Sequence, residues 1–147
     1  METEIKRFNV RVYGLMINAA GEILLSSERR GDFSFTKFPG GGLEFGEGTI
    51  ECLQREFKEE MEIDIDIQAH FYTTDFFQRS AFRQEEQIIS IYYLVESAQT
   101  NEIENGMQAL DTEEGNQHYF QWKKLSELQE VDLTFPIDRM VLEKLKE

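Results

Sequence analysis

The stretch FPGGGLEFGEGTIECLQREFKEEMEI, Phe38 to Ile63, carries five glutamates in its second half: Glu51, Glu56, Glu59, Glu60 and Glu62. Within it Ile50, Leu53, Phe57 and Met61 recur at helical spacing, which predicts a helix over residues 49–61 with those four facing the core and Thr49 as a candidate cap. At about 100° per residue, Glu56, Glu59 and Glu60 form a neighbouring stripe, at the edge of the buried face rather than opposite it. Like charges three or four residues apart oppose helix formation. Only Arg55 and Lys58 lie within the helix to offset them. A hard divalent cation such as Mg²⁺ or Mn²⁺ would relieve the repulsion, because these ions prefer carboxylate oxygens. A solvated acidic face is the plainer alternative.

Working outward, the chain has 147 residues, 40% of them hydrophobic and twelve of them Phe, enough for one domain with a real core. The formal net charge is −14. Such a surface repels long polyanions, and no basic stripe is visible, so a long nucleic acid is not an expected partner. No uncharged apolar run is long enough for a transmembrane helix, so no membrane partner is expected either. The N-terminal segment lacks the apolar centre of a secretory signal. A single cysteine, Cys52, excludes an internal disulfide framework and a multi-cysteine zinc site, and a reducing, cytoplasmic setting fits it. Cys52 itself reads as a small packing residue, its reactivity blunted by surrounding carboxylates.

Residues 7–18 and 22–27 read as strands, and residues 29–37 as a polar, aromatic loop. Three consecutive glycines, Gly40 to Gly42, stabilise neither strand nor helix but allow unusual backbone paths. Residues 63–77, 87–97 and 118–124 read as further strands. The acidic segment 100–116 reads as irregular and exposed, residues 124–130 as a short helix, and residues 136–147 as an amphipathic closing helix with Pro136 in its first turn.

From Gly41 the chain runs five residues to Glu47, seven more, then Arg55-Glu56-Phe57-Lys58-Glu59-Glu60, with Ile63 beyond. This resembles the signature of the Nudix hydrolases. Phe57 stands at a usual aliphatic position and Glu62 at a usual glycine, one that ends the helix in a left-handed conformation glutamate adopts less readily. The resemblance implies an α/β class fold, an α/β/α sandwich around a mixed β-sheet, in one domain over residues 1–147. It implies metal-dependent hydrolysis of a pyrophosphate bond in a nucleoside diphosphate linked to another group. A small nucleotide would be the substrate, a nucleoside triphosphate, nucleotide sugar or ADP-ribose type. It also implies a homodimer as one assembly, as in many members of the family. The alternative is a nucleotide-sensing module with weak or no catalysis.

Carried over by position, Glu56, Glu59 and Glu60 are the implied metal ligands, joined by the Gly40 carbonyl. Glu47 and Arg55 are the implied pair bracing loop against helix. The general base is a helix glutamate or a late carboxylate; Glu113 and Glu114 are the late candidates, with Glu85 and Glu86 behind them and a merely solvated loop as the alternative. Arg29, Arg30 and Lys37 are candidate phosphate partners. Phe35, with Phe33, Tyr72 and Phe76, offers a stacking face or simply core. His70 and His118, in or beside strands, read as structural residues or substrate contacts.

Overall fold

A computed structural model describes residues 3–147. Strands β1 (Arg7–Met16), β2 (Glu22–Arg30), β3 (Phe33–Lys37) and β4 (Gly40–Gly42) precede helix α1 (Thr49–Met61). Then come β5 (Asp66–Thr73), β6 (Glu86–Glu96), β7 (Met107–Gln108), β8 (Gln117–Lys124) and helix α2 (Pro136–Leu145).

The strands divide between two four-stranded sheets, ordered β4-β1-β6-β5 and β3-β2-β8-β7. The first is mixed, because β1 and β6 run parallel while its other pairs are antiparallel. The second is antiparallel throughout. Successive side chains on a strand point to opposite faces, so β1 and β2 feed two cores. Val12, Met16 and Leu24 pack with Leu53, Phe57 and Met61 of α1. Tyr13, Leu15, Ile23 and Leu25 pack with Ile137, Val141 and Leu142 of α2. Helices therefore cover both faces, the sandwich expected. No helix among the described residues is long and apolar enough to cross a membrane.

Four local expectations are corrected. Residues 29–37 are not a loop: β2 runs to Arg30, turns at Gly31 (φ 60°), and β3 returns. The alternation was masked because Lys37, on the inward face with Phe35, is a charged residue only 4% exposed. The glycine run forms β4, since glycine lets a backbone approach closely: a Cβ on Gly40 (φ 152°) would stand 2.0 Å from the Val12 carbonyl oxygen. Ile103 and Ala109 are buried within the acidic segment, which also contributes β7. Residues 124–130 are not a helix: Lys124 ends β8, turns follow with Leu128 buried, and Glu130 opens a single 3₁₀ turn, Glu130–Asp132.

Helix α1 has the expected bounds, but Ile50 in its first turn is 43% exposed. Spacing gives the direction of a stripe, not how far the sheet extends beneath it. Gly48, not Thr49, is the cap; its N–H donates to Glu51 Oε1 at 2.9 Å, and Thr49 Oγ1 meets Tyr93 Oη at 2.6 Å. The helix still ends left-handed, at Glu62 (φ 56°, ψ 35°), the one non-glycine with positive φ among the described residues.

Candidate active site

Arg55 organises the loop before α1. Its Nε donates to Glu47 Oε2 at 2.9 Å and its Nη2 to Glu47 Oε1 at 2.7 Å, a bidentate pair. Nη2 also reaches the Gly42 carbonyl at 3.2 Å, while Nη1 reaches Glu56 Oε1 at 3.1 Å and Glu59 Oε2 at 3.2 Å. Hydrogen bonds from Arg55, then from the Glu44 amide, hold the Glu47 carboxyl down at about 2. One guanidinium thus ties the glycine strand, the loop and the helix face together.

The three helix glutamates are not equivalent. Glu56 and Glu60 differ by about 40° around the helix and flank the apolar stripe, while Glu59 lies about 60° further out from Glu56. Accordingly Glu60 is 7% exposed, whereas the Glu59 side chain is 49% exposed and held by Arg55. Glu56 lies against Gly41, where a Cβ would stand 2.4 Å from its carboxyl carbon. Burial pushes the Glu60 carboxyl up to about 9, with Glu56 and Asp111 adding to the rise against Lys37.

Glu56 and Glu60 line a polar cleft of about 370 Å³ together with Gly40, Gly41, Asp111, Glu113 and His118. One ligand atom each from Glu60, Asp111 and His118 lie within 4.8 Å of one another. Glu28 faces His118 across the β2–β8 pair, and Lys37 Nζ is 3.4 Å from Glu28 Oε2. Burial raises the Glu28 carboxyl, but Lys37, His118 and Arg30 outweigh it and leave it below its ordinary value. Burial lowers His118 to about 4, so its ring is neutral at pH 7.

A second cavity of about 450 Å³ adjoins the first and shares Arg11, Arg30 and Lys37 with it. Its walls are aromatic: Tyr13, Phe35, Phe82, Tyr92 and Phe135. The Arg30 guanidinium lies 5.5 Å from the Phe35 ring centre and 5.4 Å from that of Phe82. One buried acid, Asp138, closes this cavity and accepts from Tyr92 Oη at 2.6 Å. Burial raises it to about 6.

Of the sequence candidates, Gly40, Glu56, Glu60, Arg30 and Lys37 line the acidic cleft, and Phe35 lines the aromatic cavity. Arg55, Glu47 and Glu59 line neither cavity. Arg29 and Glu114 are exposed and line neither cavity, although Glu113 lines the cleft. Glu85 pairs with Arg7, and Glu86 lines the aromatic cavity. Phe33, Tyr72 and Phe76 line neither. Cys52 is fully buried, its thiol raised to about 12 first by burial and then by Glu47. Sequence reasoning missed Arg11, Glu28, Asp111 and Asp138. Asp138 carried one signal, an acid in the first turn of the amphipathic closing helix.

The sequence matches the NUDIX domain family model over residues 7–145. Its fold resembles a MutT NUDIX hydrolase from Burkholderia pseudomallei (18% identity, 95% of this chain and 99% of that one, TM-score 0.71). It also resembles the MutT protein of Methanosarcina mazei Go1 (18%, 98% and 96%, 0.70) and the E. coli ORF135 protein (19%, 95% and 89%, 0.68). No curated protein matches the sequence. With the domain matched almost end to end and the glutamate helix folded against its glycine strand, the chain belongs to the NUDIX family of hydrolases.

Proposed function

We propose that the protein hydrolyses the pyrophosphate bond of a small nucleotide in the cytoplasm, with Mg²⁺ or Mn²⁺ as cofactor. The observation that carries this reading is the joining of two unlike cavities through one shared set of cations, Arg11, Arg30 and Lys37. Acids at one end suit a metal-bound polyphosphate. Aromatic walls at the other suit a nucleobase, and the volume is within the range of small-molecule sites.

Glu56, Glu60 and the Gly40 carbonyl would hold the ion, with Glu59 joining when Arg55 releases it; this donor set is all oxygen, which suits Mg²⁺ and Mn²⁺. Bound there, the ion cancels phosphate charge and lowers the pKa of a water. Arg30 and Lys37 pair with phosphate oxygens near the nucleoside, and Phe35 gives the base a stacking face. Arg55 keeps the Glu56 carboxylate aimed, and Glu47 keeps Arg55 in place. In the reaction a water oxygen bonds to phosphorus, the bridging P–O bond breaks, and the water proton passes to a carboxylate. Asp111 joins the helix glutamates, Glu113 and Glu114 as a candidate for that base.

A panel of nucleoside triphosphates, nucleotide sugars and ADP-ribose, assayed for released phosphate with and without pyrophosphatase, tests the proposal. At least one compound turns over with Mg²⁺ or Mn²⁺, and Glu60→Gln lowers kcat at least about a hundredfold. Nucleotide-induced stabilisation with no turnover of any compound would replace the hydrolase with a sensing module.

A further inference from the structure

We propose that Arg11 grips the phosphoryl group joined to the nucleoside, and does so without a metal ion, an inference that rests on the reading of the two cavities above. Arg11 stands in β1 opposite Gly42 of β4 on one side and Ser90 of β6 on the other. Alternation puts it in one row with Tyr13 and Leu15, which pack in the core under α2. A guanidinium in such a row is costly to keep unless an anion meets it.

The chain supplies an anion to the two neighbouring cations but not to Arg11. Arg30 Nη2 lies 3.2 Å from Glu28 Oε1 and Lys37 Nζ 3.4 Å from Glu28 Oε2, so one carboxylate answers both. Among the described residues no carboxylate oxygen comes within 4.0 Å of the Arg11 guanidinium; Glu56 and Glu28 act on it from farther away. The side chain's one hydrogen bond among those residues runs from Nε to Tyr13 Oη at 2.7 Å, which leaves Nη1 and Nη2 for a ligand. The fork is held in place as well. Tyr13 is 7% exposed, and its ring centre lies 5.3 Å from that of Tyr92. A guanidinium already fixed loses little freedom on binding, and its planar fork matches two oxygens of one phosphoryl group.

Its place decides which phosphoryl group it meets. Arg11 lines both cavities, and a Cβ on Gly42 would stand 3.5 Å from its Nη1, beside the glycine strand. With the base in the aromatic cavity and the metal-bound phosphates in the acidic cleft, the group between them is the phosphoryl joined to the nucleoside. That group stays on the nucleoside whichever bond beyond it breaks. A nucleoside monophosphate therefore keeps the Arg11 contact and needs no metal ion to bind.

The test uses the full chain in EDTA and compares AMP, GMP, CMP and UMP with the matching nucleosides by NMR titration of ¹⁵N-labelled protein. At least one monophosphate binds wild type at least about tenfold more tightly than its nucleoside, the size expected of one charge-assisted fork. It moves the Arg11 Nε–H resonance, and the nucleoside does not. Arg11→Gln brings that preference to within about twofold of none while nucleoside affinity is kept, and Arg30→Gln and Lys37→Gln each lower it less. Tyr13→Phe keeps the ring but frees Nε; it also lowers the preference, and it decides the matter if Arg11→Gln does not fold. No preference in wild type, an unchanged preference in Arg11→Gln or Tyr13→Phe, or a larger loss in Lys37→Gln than in Arg11→Gln overturns the proposal. So does nucleoside affinity falling in step with that of the monophosphate, which marks a packing role. If any of these occurs while wild type turns over a nucleotide with Mg²⁺, only this inference fails. The expected preferences without turnover of any nucleotide would leave Arg11 its role and remove the hydrolase.

Discussion

Replacing Glu60 by glutamine stabilises the metal-free protein while removing activity. The carboxyl ionises near 4.5 ordinarily and at about 9 in the fold, chiefly because it is buried. A raised carboxyl pKa means that the folded state holds a proton which the unfolded state releases. The penalty is absent below the unfolded pKa, grows as pH rises, and levels off above the folded pKa. At pH 7.5 the ceiling is about 1.4 kcal/mol for each of three pH units, or roughly 4 kcal/mol. Glu56 and Asp111 add to the rise beside burial, so about 1–3 kcal/mol is the working expectation for Glu60 alone. Glutamine keeps the volume, carries no charge and can donate to Glu56. Urea unfolding in EDTA at pH 5.5 and pH 8.5 measures the effect. The advantage of Glu60→Gln over wild type widens with pH by that amount, and Mn²⁺ stabilises wild type but not the variant. A variant less stable than wild type at pH 8.5, or a difference independent of pH, would refute the reasoning.

Other outcomes follow from single contacts. Gly41→Ala pushes a methyl into the Glu56 carboxylate 2.4 Å away; turnover drops at least about tenfold while far-UV circular dichroism stays unchanged. Arg55→Lys keeps the charge but loses the bidentate fork on Glu47, costing about 1–2 kcal/mol in urea unfolding and lowering turnover as the loop loosens. Glu62→Gly relieves a left-handed residue worth about 1–2 kcal/mol, less about 0.5–1 kcal/mol for glycine's unfolded-state freedom. The melting temperature rises by about 2–3 °C; a fall would show that the Glu62 conformation carries no strain.

The helix and its glycine-to-glutamate spacing were legible because they are local. Thr49–Met61 follows from apolar periodicity, and the Arg55–Glu47 bond links positions eight residues apart. The difference between Glu59 and its neighbours was also within reach, since helix geometry alone turns it outward. What the sequence hid depends on contacts between distant segments. β3 was masked by Lys37, an inward-facing charge made tolerable by Glu28 on the paired strand. β4 is built from residues with no intrinsic strand preference, and it exists because β1 lies beside it. Asp111 and His118 enter the site through the β7–β8 hairpin, whose two-residue first strand is too short to show a pattern. Asp138 faces a cavity assembled from β1, β3, β6 and α2, which no one segment announces.

Where a bound nucleotide and its ion lie decides most directly whether the two cavities form one active site. A crystal grown with Mn²⁺ and a non-hydrolysable nucleotide, read by anomalous scattering, gives both at once. The expected map has manganese between the Glu56 and Glu60 carboxylates, phosphate oxygens against Arg30 and Lys37, and the base beside Phe35. Manganese elsewhere, or a base bound outside the aromatic cavity, would contradict the joining of the two cavities into one active site.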